Sequence, residues 1–167
     1  MRKLERPSVF NGIVADYLLR LEGALVARGG EILPGVVPIL AALEREGIRP
    51  GLATGNFARG AQLKLAYFDL WEQFAGGGFG DGKLIRADVV REGLDAMSRH
   101  LGREVAPERC IVLGDTPLDI EAAHAVGARA LAVATGSYTV QELQASDAEW
   151  VLADLSDTNL LLEILTS

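Results

Sequence analysis

Cys110-Ile111-Val112-Leu113-Gly114-Asp115-Thr116-Pro117-Leu118-Asp119 is the stretch from which the fold can be read. Its first four residues are apolar without interruption, a run too short for a helix and the pattern of a strand buried on both faces. Residues 114–117 break it, and 118–126 resume at helical spacing. Outward from there the same alternation recurs. Residues 130–134 form a second buried strand, a helix begins or continues at Glu142, 150–152 form a last short strand, and 158–165 close as a helix. Upstream, 87–101 is helical, with Val90, Leu94, Met97 and Leu101 in register, and 36–46 and 57–67 are helices. Residues 48–53 make a strand weakened by Pro50 and Gly51, ending in Thr54-Gly55-Asn56. Ile13, Tyr17, Leu21 and Leu25 mark a helix over 8–28, ended by Gly29-Gly30. Strands alternating with helices predict an α/β fold, a parallel sheet with helices on both faces.

The chain has 167 residues, 49% hydrophobic and 23% charged, enough for one cored domain and unlike a disordered or fibrous chain. Its net charge of −7 is spread along the sequence, which argues against nucleic acid as a partner. The single cysteine, Cys110, excludes an intrachain disulfide and is expected as a buried structural thiol. His100 and His124 show no ligand spacing. The basic start, Met1 to Pro7, lacks an apolar continuation that would make it a signal peptide, and no run reaches the roughly 18 apolar residues of a membrane span. A soluble, cytoplasmic protein is expected.

In parallel sheets, ligands sit beyond the carboxyl ends of the strands. Two such ends carry polar turns here, 54–56 and 114–119. Asp115 and Asp119, four apart across a strand-to-helix turn, can share a hard divalent cation such as Mg²⁺; equally, Asp119 serves the positive first turn of the helix that Asp115 or Thr116 caps. Thr54, with Gly55 and Asn56, makes either a phosphate seat at a helix start or a plain N-cap. Gly77, followed by Gly82-Lys83, imitates a P-loop, but Leu84 stands where Ser or Thr is required, which excludes a nucleoside triphosphatase. Lys83 and Arg86 remain as single cations able to neutralise a phosphate. A receiver-like signalling domain would need Asp115 as its acceptor.

Residues 52–56, a cation at 83–86, and residues 111–119 resemble motifs two, three and four of the haloacid dehalogenase superfamily, nearest its phosphoglycolate-phosphatase-type hydrolases. Residues 132–136 and 151–155 are similar too. The resemblance implies a three-layer, Rossmann-like core over residues 31–167, preceded by a helical-cap remnant over 1–30. It implies a Mg²⁺-dependent phosphatase acting on a small phosphorylated metabolite. Thr54, Gly55 and Asn56 would hold the phosphoryl group with Arg86 or Lys83. Asp115 would hold the metal, and Asp119 the metal or the cation. The family's first motif, an Asp-x-Asp whose first member attacks phosphorus, occurs nowhere in the 167 residues; the only aspartate before Thr54 is Asp16. The resemblance therefore implies that the central strand and most of the cap are missing, and that these residues alone are inactive. A gap in the sheet would favour a homodimer. The alternative is a non-catalytic phosphate- or Mg²⁺-binding module, or one that completes its sheet with a partner chain.

Overall fold

The computed structural model describes residues 9–167, so the basic start lies outside the described residues. In chain order the elements are α1 (Val9–Arg28), α2 (Val36–Arg45), β1 (Leu52–Thr54), α3 (Ala58–Tyr67), β2 (Gly77–Phe79), α4 (Arg86–Leu101), β3 (Ile111–Gly114), α5 (Pro117–Ala125), β4 (Arg129–Val133), α6 (Val140–Gln144), β5 (Trp150–Leu152) and α7 (Thr158–Thr166). Short 3₁₀ turns precede β2 and β3. Among the described residues no helix is long and apolar enough to cross a membrane.

Strand β4 shows why the molecule has three layers. Its side chains alternate: Leu131 and Val133 pack with α2 and α7 through Ile39, Leu43, Leu161 and Ile164. Ala130 and Ala132 pack on the opposite face with Ile120 and Ala123 of α5 and Leu143 of α6. All four strand residues are 0–1% exposed, so β4 is an apolar strand covered on both sides.

All the strand pairs are parallel, but the described strands fall into two sheets, β1-β2 and β3-β4-β5. Helix α4 joins them: Ala87 and Val90, buried with Ala122 of α5, have Ala53 of β1 and Val112 of β3 against them. Among the described residues β1 and β3 make no ladder with each other. Among the described residues β1 and β3 therefore each keep one edge without a ladder partner.

Three expectations change. The strand expected over 48–53 begins only at Leu52: the Pro50 carbonyl accepts from the Ala75 N–H at 2.9 Å, but proline has no N–H to return the bond. Gly77–Phe79, read as a glycine-rich stretch, is a strand paired with β1, because Gly78 lies against the α4 backbone at Val89 where no Cβ fits. Strand β3 is not buried on both faces, since Leu113 is 45% exposed.

Cys110 is half-buried, its thiol near the Ala106 carbonyl at 3.6 Å, and burial pushes its pKa up. At the far side of β4, Glu149 Oε2 accepts from the Ala130 N–H at 2.6 Å and lies 3.3 Å from His124 Nε2. Burial raises this carboxyl, but the Ala130 and His124 hydrogen bonds outweigh it and hold the pKa below its usual 4.5. A depressed carboxylate stabilises the fold above its unfolded pKa and loses that contribution as pH falls through the folded value. Glu149→Gln should therefore lower the melting temperature at pH 7 and approach the unsubstituted protein below about pH 4. Thermal melts across that range check this.

Candidate active site

Each carboxyl end on this edge contributes a loop. Strand β1 ends at Thr54, β2 runs into residues 80–85 before α4, β3 ends at Gly114, and β4 leads to Thr135-Gly136.

The first loop is held from inside. Thr54 Oγ1 accepts from the Asn56 N–H at 3.2 Å and from Asn56 Nδ2 at 2.8 Å, and Asn56 Oδ1 accepts from Lys64 Nζ at 2.8 Å. Helix α3 begins after Phe57, which has no side-chain oxygen to cap it; Asp81, from the second loop, supplies one by accepting from the Ala58 N–H at 2.7 Å. The Gly80 N–H donates to Asn56 O at 2.9 Å, so the two loops are also tied through their backbones.

Of the two candidate cations, Arg86 reaches the centre. Its guanidinium lies 2.8 Å from where a Cβ on Gly55 would stand. Its Nη2 and Nε lie 2.6 and 2.9 Å from Asp119 Oδ1. Lys83 turns to Glu92 at 3.6 Å. A guanidinium carries five donors in a planar fork, so two bonds to Asp119 leave others for an anion above Gly55.

Asp119 is 6% exposed, and both its oxygens are engaged. Oδ1 meets Arg86, while Oδ2 accepts from the Asp115 N–H at 3.3 Å, the Thr116 N–H at 3.2 Å and the Thr116 hydroxyl at 2.9 Å. Asp119 is thus paired with Arg86 in this structure. Asp115 differs. Among the described residues its carboxylate accepts no hydrogen bond, and a Cβ on Gly136 would fall inside it. Glycine at 136 is what leaves that carboxylate room.

Thr54, Gly55, Asn56, Arg86, Asp115 and Asp119 are thus joined through side-chain contacts and short backbone links, with Lys83 at the margin. Reading the sequence missed Lys64, Asp81 and the closeness of Gly136. None of these had a signal in the sequence, where Thr54 or Asn56 reads as the cap of the helix; the structure puts Phe57 at the N-cap and leaves the capping to Asp81. No group of three or more His, Cys, Asp or Glu among the described residues could hold a metal unaided. A Mg²⁺ ion takes one or two carboxylates and fills its sphere with water and phosphate oxygens. The donor set fits through Asp115. A hollow of about 630 Å³ between α5 and α6, lined by Glu121, His124, Glu142 and Asp147, meets these loops at Pro117; the converging donors lie after β1, β2 and β3.

Known proteins resemble this chain in sequence and in fold. Residues 4–127 match the family model described as haloacid dehalogenase-like hydrolase. A probable phosphatase, IndB, of Dickeya dadantii is 30% identical over 143 residues, which is 81% of this chain; the chain spans 58% of that relative's length. Among solved structures, CbbY of Rhodobacter sphaeroides in complex with phosphate superimposes at a TM-score of 0.72 with 25% identity, over 94% of this chain and 69% of its own. A predicted phosphatase of Clostridium acetobutylicum matches at 0.73 with 20% identity, over 95% and 72%, a likeness of fold.

Proposed function

This chain belongs to the haloacid dehalogenase-like hydrolases, and from that membership we propose that it carries the phosphate- and metal-binding half of a Mg²⁺-dependent phosphatase. The observation that carries the reading is Arg86, whose guanidinium sits between the Gly55 loop and Asp119. Residues 31–167 make the α/β core, and α1, packed on α3 where Tyr17, Leu18 and Leu21 surround Gly60, is the cap remnant.

In this reading the Thr54 hydroxyl, the Gly55 N–H and Arg86 hold the phosphoryl oxygens of a small phosphorylated metabolite, and Asn56 orders the seat through its hydrogen bonds to Thr54. Asp115 holds Mg²⁺ and Asp119 holds Arg86 in place. Bound Mg²⁺ would supply charge neutralisation of the phosphoryl group. Lys83 is left to the rim. The acidic surface disfavours nucleic acid and anionic membranes, and the lone cysteine is consistent with the cytoplasm.

Binding the phosphoryl group without an attacking carboxylate gives affinity and no turnover. None of the 167 residues forms an Asp-x-Asp, so we expect the chain alone to be inactive. The unpaired edges of β1 and β3, with Leu113 45% exposed beside them, support a second component of the reading. A strand carrying the nucleophile would seat there, and without it the same edges would bring two copies together.

Two measurements test the proposal. Phosphate with Mg²⁺ at about 100 times the dissociation constant should raise the melting temperature by roughly 5–10 °C, and Asp115→Ala should abolish the part of the shift that depends on Mg²⁺. Phosphate release from a panel of small phosphomonoesters should stay at background. Clear turnover by the 167-residue chain, abolished by Asp115→Ala, would overturn the expected inactivity, and no shift with either ligand would overturn the binding reading.

A further inference from the structure

A threonine hydroxyl has one hydrogen to donate and two lone pairs that accept. At Thr54 the acceptor side is already used: Asn56 donates to Oγ1 from its backbone N–H and from Nδ2. What fixes Asn56 in that sense is Lys64. An ammonium is donor-only, so the Asn56 side-chain oxygen must face it, at 2.8 Å, and the NH₂ group must face Thr54. Turned over, Asn56 would present its oxygen to Thr54 and draw the hydroxyl hydrogen to itself. Lys64 is half-buried on α3, two turns from the loop and eight residues from Asn56.

We propose that Lys64 is a positioning residue that sets the hydrogen-bond polarity of Thr54 through Asn56, so that the Thr54 hydroxyl hydrogen stays free for a phosphoryl oxygen. The inference rests on Thr54 being part of the phosphate seat. Lys64 acts at one remove, as the cation that permits only one orientation of an amide. An anion benefits because a donor already aimed at it need not be reoriented on binding.

The test titrates inorganic phosphate, with Mg²⁺ present, into the 167-residue chain by calorimetry. Thr54→Val should weaken binding about 10- to 100-fold, the typical effect of one hydrogen bond to a charged group. Lys64→Met, which keeps the apolar stem, should weaken it by a similar factor, and Lys64→Arg should recover most of the loss. The double variant Lys64→Met/Thr54→Val should bind no more weakly than Thr54→Val alone. Losses that multiply would show Lys64 acting as a bare charge and overturn the relay, as would Lys64→Met binding like the parent. A second readout needs no phosphate: the Asn56 side-chain amide protons, followed by NMR, should exchange more slowly in the parent than in Lys64→Met. Equal rates would overturn the relay even if the phosphate reading holds; a parent that binds no phosphate would overturn both the seat and the role given to Lys64 in it.

Discussion

Asp119→Ala should lower stability by about 2–3 kcal/mol and the melting temperature by roughly 6–10 °C. Removing one partner of a buried ion pair costs about 3–5 kcal/mol. The lower figure applies here because Arg86 is 37% exposed and water can take part of its charge. The loss has two sources. Arg86 keeps its charge with no partner, and the Asp115 and Thr116 N–H groups at the start of α5 lose their acceptor, along with a favourable negative charge at that helix end. Asp119→Asn keeps an acceptor and should cost less than half as much. In a thermal double-mutant cycle with Arg86→Ala, the pair should show a coupling of about 1–2 kcal/mol. Additive effects would mean that the ion pair contributes nothing to holding the loops together.

A larger loss is expected at Leu131→Ala, about 3–4 kcal/mol, with the melting temperature down by roughly 10 °C. Leu131 is 0% exposed and touches the α2–α7 layer from the strand between β3 and β5, so truncation removes buried methyl groups and leaves a cavity that tightly packed neighbours cannot close. Leu131→Met, which conserves volume, should cost under about 1.5 kcal/mol. Leu113→Ala is the matching control. It also lies in an apolar run, yet at 45% exposure it should cost less than about 1 kcal/mol. Equal losses at the two leucines, measured by denaturant unfolding, would show that β3 is as enclosed as β4.

The contrast between those leucines marks where pattern stops being informative. Residues 110–113 and 130–134 have the same apolar character, and both were read as strands with two covered faces. Burial depends on what lies alongside, and β3 has a ladder partner on one edge among the described residues while β4 has one on each. Strand β2 was illegible for a different cause. Glycine has poor strand propensity, and Gly77 and Gly78 suit a strand only because the backbones of β1 and α4 approach them. In the site, Thr54, Asp115 and Asp119 could be picked out because each lies just beyond a recognisable strand. That Arg86 pairs with Asp119 and not with Asp115 could not, since Arg86 and Asp119 lie 33 apart in the chain.

What the linear order of residues determined is the succession of strands and helices, the edge of the sheet on which polar loops collect, and the kinds of groups found there. Those follow from local periodicity and turn chemistry, which act over a few residues. Only the tertiary structure decided that Arg86, and not Lys83, meets the Gly55 loop, that Asp119 is consumed by that cation while Asp115 stays open, and that Lys64 stands behind Thr54. Hydrogen bonds and ion pairs form within about 3 Å, a proximity that residues 33 apart, such as Arg86 and Asp119, acquire only when separate helices pack against one core.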